Sequence, residues 1–136
     1  MKKGLIITVL TIIAIGFVSC EKPDYREKWV GDWEFSTRSE YWEFDVGVLR
    51  DTTYYYLGKI SRGNASEQLN ITYMENCSMD LSVDENGKIL KFSGEGINNA
   101  IRKANGQFEE IDNIYIYLEL GGMGGGSKYT INGTKK

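Results

Sequence analysis

The chain has 136 residues, 41% hydrophobic and 26% charged, a formal charge of −3 and no histidine. That length suits one domain with one ordinary core. The lack of histidine removes Ser-His and Cys-His nucleophile pairs, the commonest general base and histidine-based zinc sites. The sequence therefore reads as non-enzymatic, with no catalytic residue, metal ligand set or cofactor to assign.

The chain opens on Met1-Lys2-Lys3-Gly4, runs through a largely apolar stretch from Leu5 to Val18, and reaches Ser19-Cys20. Two lysines followed by fourteen mostly apolar residues have the form of an export signal, too short for a comfortable membrane span. Phe17-Val18-Ser19-Cys20 resembles the lipobox of bacterial lipoproteins, with Phe17 where leucine is usual. The resemblance implies cleavage before Cys20, acylation of Cys20, and a membrane as the first partner. It also implies the outer membrane as the location, facing the periplasm or the outside. Several acyl chains would make detachment negligible. The resulting organisation is a signal over residues 1–19, a lipidated cysteine and tether over 20–28, and one β domain over 29–136.

Processing would remove Lys2 and Lys3 and no acid, so 14 basic side chains would face 19 acidic ones, a net of −5. A polyanion would be repelled, which argues against nucleic acid. Acylated Cys20 cannot pair, so Cys77 stands alone, no disulfide framework exists, and Cys77 reads as a small buried hydrophobe.

From Tyr25 onward the pattern has period two. A short helical lead-in is expected over Tyr25–Val30. Trp33, Phe35 and Thr37 then alternate with acids and serine, and Tyr41–Phe44 continues the pattern. Strands are expected at Thr52–Ile60, Leu69–Tyr73, Met79–Val83, Lys88–Phe92, Ile114–Leu120 and Lys128–Gly133. The one other stretch whose pattern leaves room for a helix is around Asn98–Ala104. Seven or eight short strands with turns every 8–12 residues predict an all-β fold, an up-and-down antiparallel barrel, with a two-sheet sandwich as the alternative. The expected core is Trp33, Phe35, Leu57, Leu81, Phe92, Ile114, Ile116 and Leu118.

Gly31-Asp32-Trp33 carries a resemblance. Calycins, the lipocalin-like group, place Gly-x-Trp at the start of the first barrel strand after a short helical turn. They also bring a basic residue from the last strand onto that tryptophan, a role open here to Lys135 or Lys136. With the lipobox, the Gly-rich stretch and the Gly-Thr-Lys ending, the chain is similar to small lipocalin-like lipoproteins of Bacteroidota. The resemblance implies a barrel and an envelope location, and brings no activity with it.

Other motifs resolve into ordinary structure. Gly121–Lys128 lacks the Gly-Lys-Ser/Thr order and following helix of a phosphate loop, so it reads as a flexible hairpin loop. Asp84-Glu85-Asn86-Gly87 resembles the opening of a calcium loop, but Lys88 sits where an oxygen ligand belongs, and Asn-Gly between two β runs predicts a hairpin. Glu110 and Asp112 would share a face in extended chain, a conceivable hydrolase pair lacking a separated second carboxylate, so a solvated strand start is favoured. Asp51-Thr52-Thr53 resembles the short O-glycan acceptor motif of exported Bacteroidota proteins. Tyr54, Tyr55 and Tyr56 place rings on both faces of a strand, while Tyr115 and Tyr117 lie opposite an apolar stripe. Tyr54, Tyr56, Tyr115 and Tyr117 are the candidate ligand-binding residues if they adjoin, as a surface for a small apolar ligand, a glycan or an envelope protein. Cross-strand packing is the plainer role. Three functions follow: a non-catalytic binding module, a structural or accessory subunit or inhibitor, and, least favoured, a carboxylate hydrolase.

Overall fold

Alternating patterns leave one side of each strand apolar, and the strands bury that side by curling into a single eight-stranded antiparallel sheet. The computed structural model describes residues 21–95 and 97–136. Residues 1–19 and Cys20 lie outside the described residues. A 3-10 turn, Tyr25–Trp29, leads into β1 (Gly31–Glu43), β2 (Gly47–Arg62), β3 (Gln68–Met74) and β4 (Cys77–Val83). Then come β5 (Ile89–Ser93), β6 (Ile101–Glu109), β7 (Asn113–Gly122) and β8 (Gly125–Lys135). Each strand pairs with its neighbour in sequence except across one seam, and β8 returns to pair with β1 from Trp33↔Lys135 to Glu43↔Gly125. The result is an up-and-down barrel, nearly closed, and not a sandwich. Its seam lies between β5 and β6, where the backbone pairing among the described residues is the bridge Lys88↔Gln107, just ahead of β5, and the bond from Phe108 N to Gly87 O.

The interior is filled, not hollow, along most of its length. Trp33, Phe35, Ile60, Leu69, Ile71, Leu81, Ile116, Leu118 and Ile131 are fully or almost fully buried. The Phe35 ring fills space that glycines leave on both flanking strands: a Cβ at Gly58 or Gly133 would meet it within about van der Waals overlap, at 3.0 and 2.7 Å. The sequence-derived core holds for Trp33, Phe35, Leu81, Phe92, Ile114, Ile116 and Leu118.

Leu57 is the exception, at 71% exposed. In β2 the even-numbered residues face inward: Tyr56 opposes Phe35, and Gly58 opposes Trp33. Leu57 opposes Glu34 on the outer side, and Ile60 fills the core position instead. A period-two pattern flips every side chain with a one-residue change of phase, and three consecutive tyrosines give no phase.

No helix forms around Asn98–Ala104. Ile97–Ala100 form turns, and Ile101 begins β6. Ala104, Gly106 and Phe108 face the interior there, and two small residues hide the apolar alternation. Gly106 must be small, since a Cβ would meet Tyr115 O at 2.7 Å and Ile89 Cδ1 at 2.9 Å. The glycine-rich stretch is likewise more ordered than a flexible loop. β7 runs to Gly122 and β8 starts at Gly125, so only Met123 and Gly124 form the turn. Asp84–Gly87 is the expected hairpin turn: Asp84 Oδ1 accepts from the backbone N–H groups of Asn86 and Lys88, and Gly87 sits at φ +87°.

Candidate functional site

The barrel has two unlike ends. β1 runs from one to the other, so Gly31 marks the first and Glu43 the second. At the first end the 3-10 turn folds across the opening. Trp29 stacks on Phe108 with ring centroids 4.4 Å apart, and Phe108 meets Trp33 edge-on at 5.9 Å. Trp33 Nε1 donates to Trp29 O, and Trp29 Nε1 donates to Glu110 O. Tyr25 donates its hydroxyl to Val83 O. The packed unit thus takes in Asp24–Lys28, which sequence patterning assigns to the tether.

Gly31 and Trp33 sit where the closed end meets the last strand. Lys135 is the direct cross-strand partner of Trp33, and its Nζ donates to Lys28 O at 2.8 Å. Gly31 has φ +142°, and a Cβ there would press on the Lys135 stem at 3.2 Å. A glycine is needed for both reasons. Of the two lysines, Lys135 runs past Gly31 to Lys28 O, while Lys136 pairs with Glu34 on the outer side.

The second end is open. The turns at Phe44–Val46, Glu75–Asn76 and Met123–Gly124 gather there, with the connection from Gly94 to Ala100. Beside the β3–β4 turn and the start of that connection lies a cleft of about 400 Å³, bounded by Asn76, Gly94 and Glu95, with Tyr73, Met79, Ile97, Leu120 and Tyr129 along its apolar side. Cys77, a free thiol of intermediate burial, also lines it. Burial pushes the Tyr73 phenol well up, with Cys77 and Tyr129 beside it adding to the shift. One row deeper, Thr37 is fully buried, and its hydroxyl has no hydrogen-bond partner among the described residues.

The four candidate tyrosines are not brought together. Tyr54 and Tyr56 face inward from β2, opposite Thr37 and Phe35. Tyr115 and Tyr117 face outward from β7, opposite Asn132 and Thr130. Tyr117 donates to Glu119 Oε2, and its phenol is raised first by burial and then by that carboxylate. Tyr55 does share the outer face with Tyr115, in the row Tyr55–Ser36–Asn132–Tyr115. Three strand spacings, about 14 Å, separate the two rings' strands. No continuous tyrosine surface results.

What the same outer face carries instead is a charge ladder. Asp51, Glu40, Lys128, Glu119 and Lys103 are successive cross-strand partners, and Arg38 binds Asp51 through both carboxylate oxygens. Mixed signs in one row give no field for a polyion. The acids Glu110 and Asp112 lie in the β6–β7 turn, not in extended chain, and Glu110 has φ +60°. They therefore do not share a strand face. Among the described residues, no three Cys, Asp or Glu side chains cluster as a metal site.

The feature that sequence reasoning missed is the β1–β2 hairpin. Eleven large apolar side chains are well exposed among the described residues, and eight of them fall between Tyr41 and Leu57. A ninth, Met123, sits at the adjoining turn, where Phe44 N donates to Gly124 O. Single exposed apolar groups need no explanation, but this concentration does. The sequence holds the signal as Phe44-Asp45-Val46-Gly47-Val48-Leu49, apolar residues around a turn with too few acids to hide them. Compared with protein families, characterised proteins and solved structures, the chain matches none.

Proposed function

We propose that the protein is a lipid-anchored, non-catalytic binding module of the bacterial cell envelope, working through its β1–β2 hairpin. The observation that carries the reading is the concentration of exposed apolar side chains on that hairpin, whose tip is at the end opposite the N-terminal turn. A chain tethered at Cys20 would hold its closed end toward the membrane and offer the hairpin to a partner. β1 alone, 13 residues, gives about 43 Å of reach. The calycin-like start at Gly31 and Trp33 fits this reading, as the closure of the tethered end. An accessory subunit would use the same surface.

Anchoring is tested by fractionation. The wild-type chain should partition with membranes and take up a labelled fatty acid, and Cys20→Ala should abolish the label. A Cys20→Ala chain that still incorporates label would refute acylation at this residue.

The open-end cleft favours a second reading, a small ligand bound among Tyr73, Leu120 and Tyr129. Its volume lies at the lower end of ligand pockets, and its apolar wall is short. Leu120→Arg would fill it, and should abolish any ligand-induced chemical-shift change at Tyr73 and Tyr129. Shifts that survive the substitution would place the ligand elsewhere.

A further inference from the structure

The cleft at the open end exists because two neighbouring strands stop at different heights. Ser93, the last residue of β5, pairs with Asp80, so Cys77–Met79 of β4 have no β5 partner. The chain turns away there: Ile97 N donates to Gly94 O, and Gly94 N donates to Asn98 Oδ1. Gly94 lies so near β4 that a Cβ would meet Ser78 O at 3.3 Å. Leu120 of β7 and Tyr129 of β8 line the resulting gap as well. The cleft is at the end away from the N-terminal turn, so anchoring at Cys20 would leave it accessible.

Tyr73 lines this cleft with a polar group that has nothing to bind. The residue is only 7% exposed, and its hydroxyl makes no hydrogen bond among the described residues. A buried phenol normally finds a partner. Burial, with Cys77 and Tyr129 beside it, keeps the phenol neutral, so its oxygen can accept a hydrogen bond. The charged lining is of one sign. Asp80 and Glu95 line the cleft, and no lysine or arginine among the described residues does. Asp80 accepts from Asn70 Nδ2 through one oxygen, and neither carboxylate has a cationic partner among the described residues. We propose that the cleft binds a small organic cation, an ammonium group on a short apolar or aromatic tail. The proposal rests on the reading of this cleft as a small-ligand site and names the ligand's chemistry.

Each part of the lining meets a part of such a ligand. The tail lies against Met79, Ile97 and Leu120. The ammonium donates to the Tyr73 oxygen, and Asp80 and Glu95 balance its charge. Tyrosine rings also attract a cation at their faces, and Tyr73 and Tyr129 bring two rings to the site. A carboxylate ligand would meet two like charges with no cation to offset them. A neutral ligand could satisfy Tyr73 but would leave both carboxylates without a counter-charge. The volume, about 400 Å³, suits one ring and a short chain and is too small for an acylated lipid.

Three probes with the same ring and similar chains test this: phenethylamine, phenethyl alcohol and hydrocinnamate. Binding to detergent-solubilised full-length chain is followed by NMR at the ring signals of Tyr73 and Tyr129, so probe taken up by detergent does not count. Near neutral pH, phenethylamine should bind about tenfold tighter than phenethyl alcohol, and hydrocinnamate should move neither signal. Asp80→Asn combined with Glu95→Gln should erase the difference between amine and alcohol. Both substitutions are isosteric, and an amide oxygen can still accept from Asn70 Nδ2. Tyr73→Phe removes only the unpartnered hydroxyl and should weaken the amine about fivefold, read at Tyr129. Equal binding of amine and alcohol to the wild-type chain would overturn the cation proposal and leave the cleft a site for neutral ligands. Tighter binding of hydrocinnamate, or an amine preference that survives loss of both carboxylates, would also overturn it. Signals that none of the three probes moves would overturn the small-ligand reading of the cleft together with the proposal.

Discussion

Trp33→Ala should destabilise the barrel by about 3–5 kcal/mol, the cost of removing a large aromatic from a packed interior. Trp33 has no exposed surface, stacks near Phe35 at 6.3 Å and meets Phe108 edge-on. Its indole N–H also holds the 3-10 turn, through Trp29 O at 2.9 Å. The substitution therefore removes core volume and the latch of the closed end together. Trp33→Phe separates these. It keeps most ring contacts but loses the hydrogen bond, and should cost about 1–2 kcal/mol. Guanidinium unfolding followed by far-UV circular dichroism reads both. A cost below about 1 kcal/mol for Trp33→Ala would mean that the closed end is not part of the cooperative core. Domains of this size are stable by only about 5–15 kcal/mol, so the larger figure approaches loss of the fold.

The residues that made the fold legible are those with an unambiguous alternation. Leu69-Asn70-Ile71-Thr72-Tyr73 and Ile114–Leu120 have one apolar face, and both became strands with that face inward. Asn86-Gly87 marks its hairpin, where Gly87 alone takes positive φ. Legibility failed where side chains gave no phase. Tyr54-Tyr55-Tyr56 look alike from either side, so the pattern puts Leu57 inward, whereas Ile60 holds the core place. Ala104 and Gly106 are too small to mark an inner face, so the pattern leaves Asn98–Ala104 open to a helix and gives no sign of β6. Their size is dictated by atoms from Ile89 and Tyr115, residues remote in sequence, which no local pattern reveals.

The candidate site was less legible still. Tyrosine is a residue type suited to recognition, but register decides whether rings meet. β2 contributes Tyr54 and Tyr56 to one face while β7 contributes Tyr115 and Tyr117 to the other. The exposed β1–β2 hairpin depends on a length mismatch: 16 residues in β2 against 7 in β3. Sequence patterning puts β2 at Thr52–Ile60, which hides the overhang. At Gly31 and Trp33 the structure shows only a cross-strand neighbour from the chain's far end, Lys135.

Arg26→Met should cost about 2–3 kcal/mol and should also remove much of the protein's acid sensitivity. Arg26 is almost fully buried at the closed end. Its guanidinium donates to Ala65 O at 2.6 Å and Gln68 O at 2.7 Å, and grips Asp24 through Nε and Nη2. It thus ties the start of the folded chain to the β2–β3 connection. Both carbonyls keep a second donor, Gln68 N to Ala65 O and Gly63 N to Gln68 O, which holds the cost below that of a fully orphaned charge. Methionine preserves the stem's packing, so the loss reports the polar grip. Lysine would not restore it, having no planar fork to span Asp24 and two carbonyls at once. The pH dependence follows from Asp24. The hydrogen bonds from Arg26 hold its carboxyl down at about 2, against an ordinary 3.8 in the unfolded chain. A depressed carboxyl stabilises the fold above its unfolded value, and that contribution disappears as pH falls from about 4 through 2. Wild-type stability should therefore drop across this window, and the drop should shrink in Arg26→Met, where the cause of the shift is gone. A residual slope belongs to Asp51, lowered in the same sense by Arg38. Urea midpoints at pH 6, 4 and 2.5 for both chains decide the matter. Parallel acid losses in the two would show that the Asp24–Arg26 pair contributes nothing to acid stability, and that the closed end is held by Trp29, Trp33 and Phe108 alone.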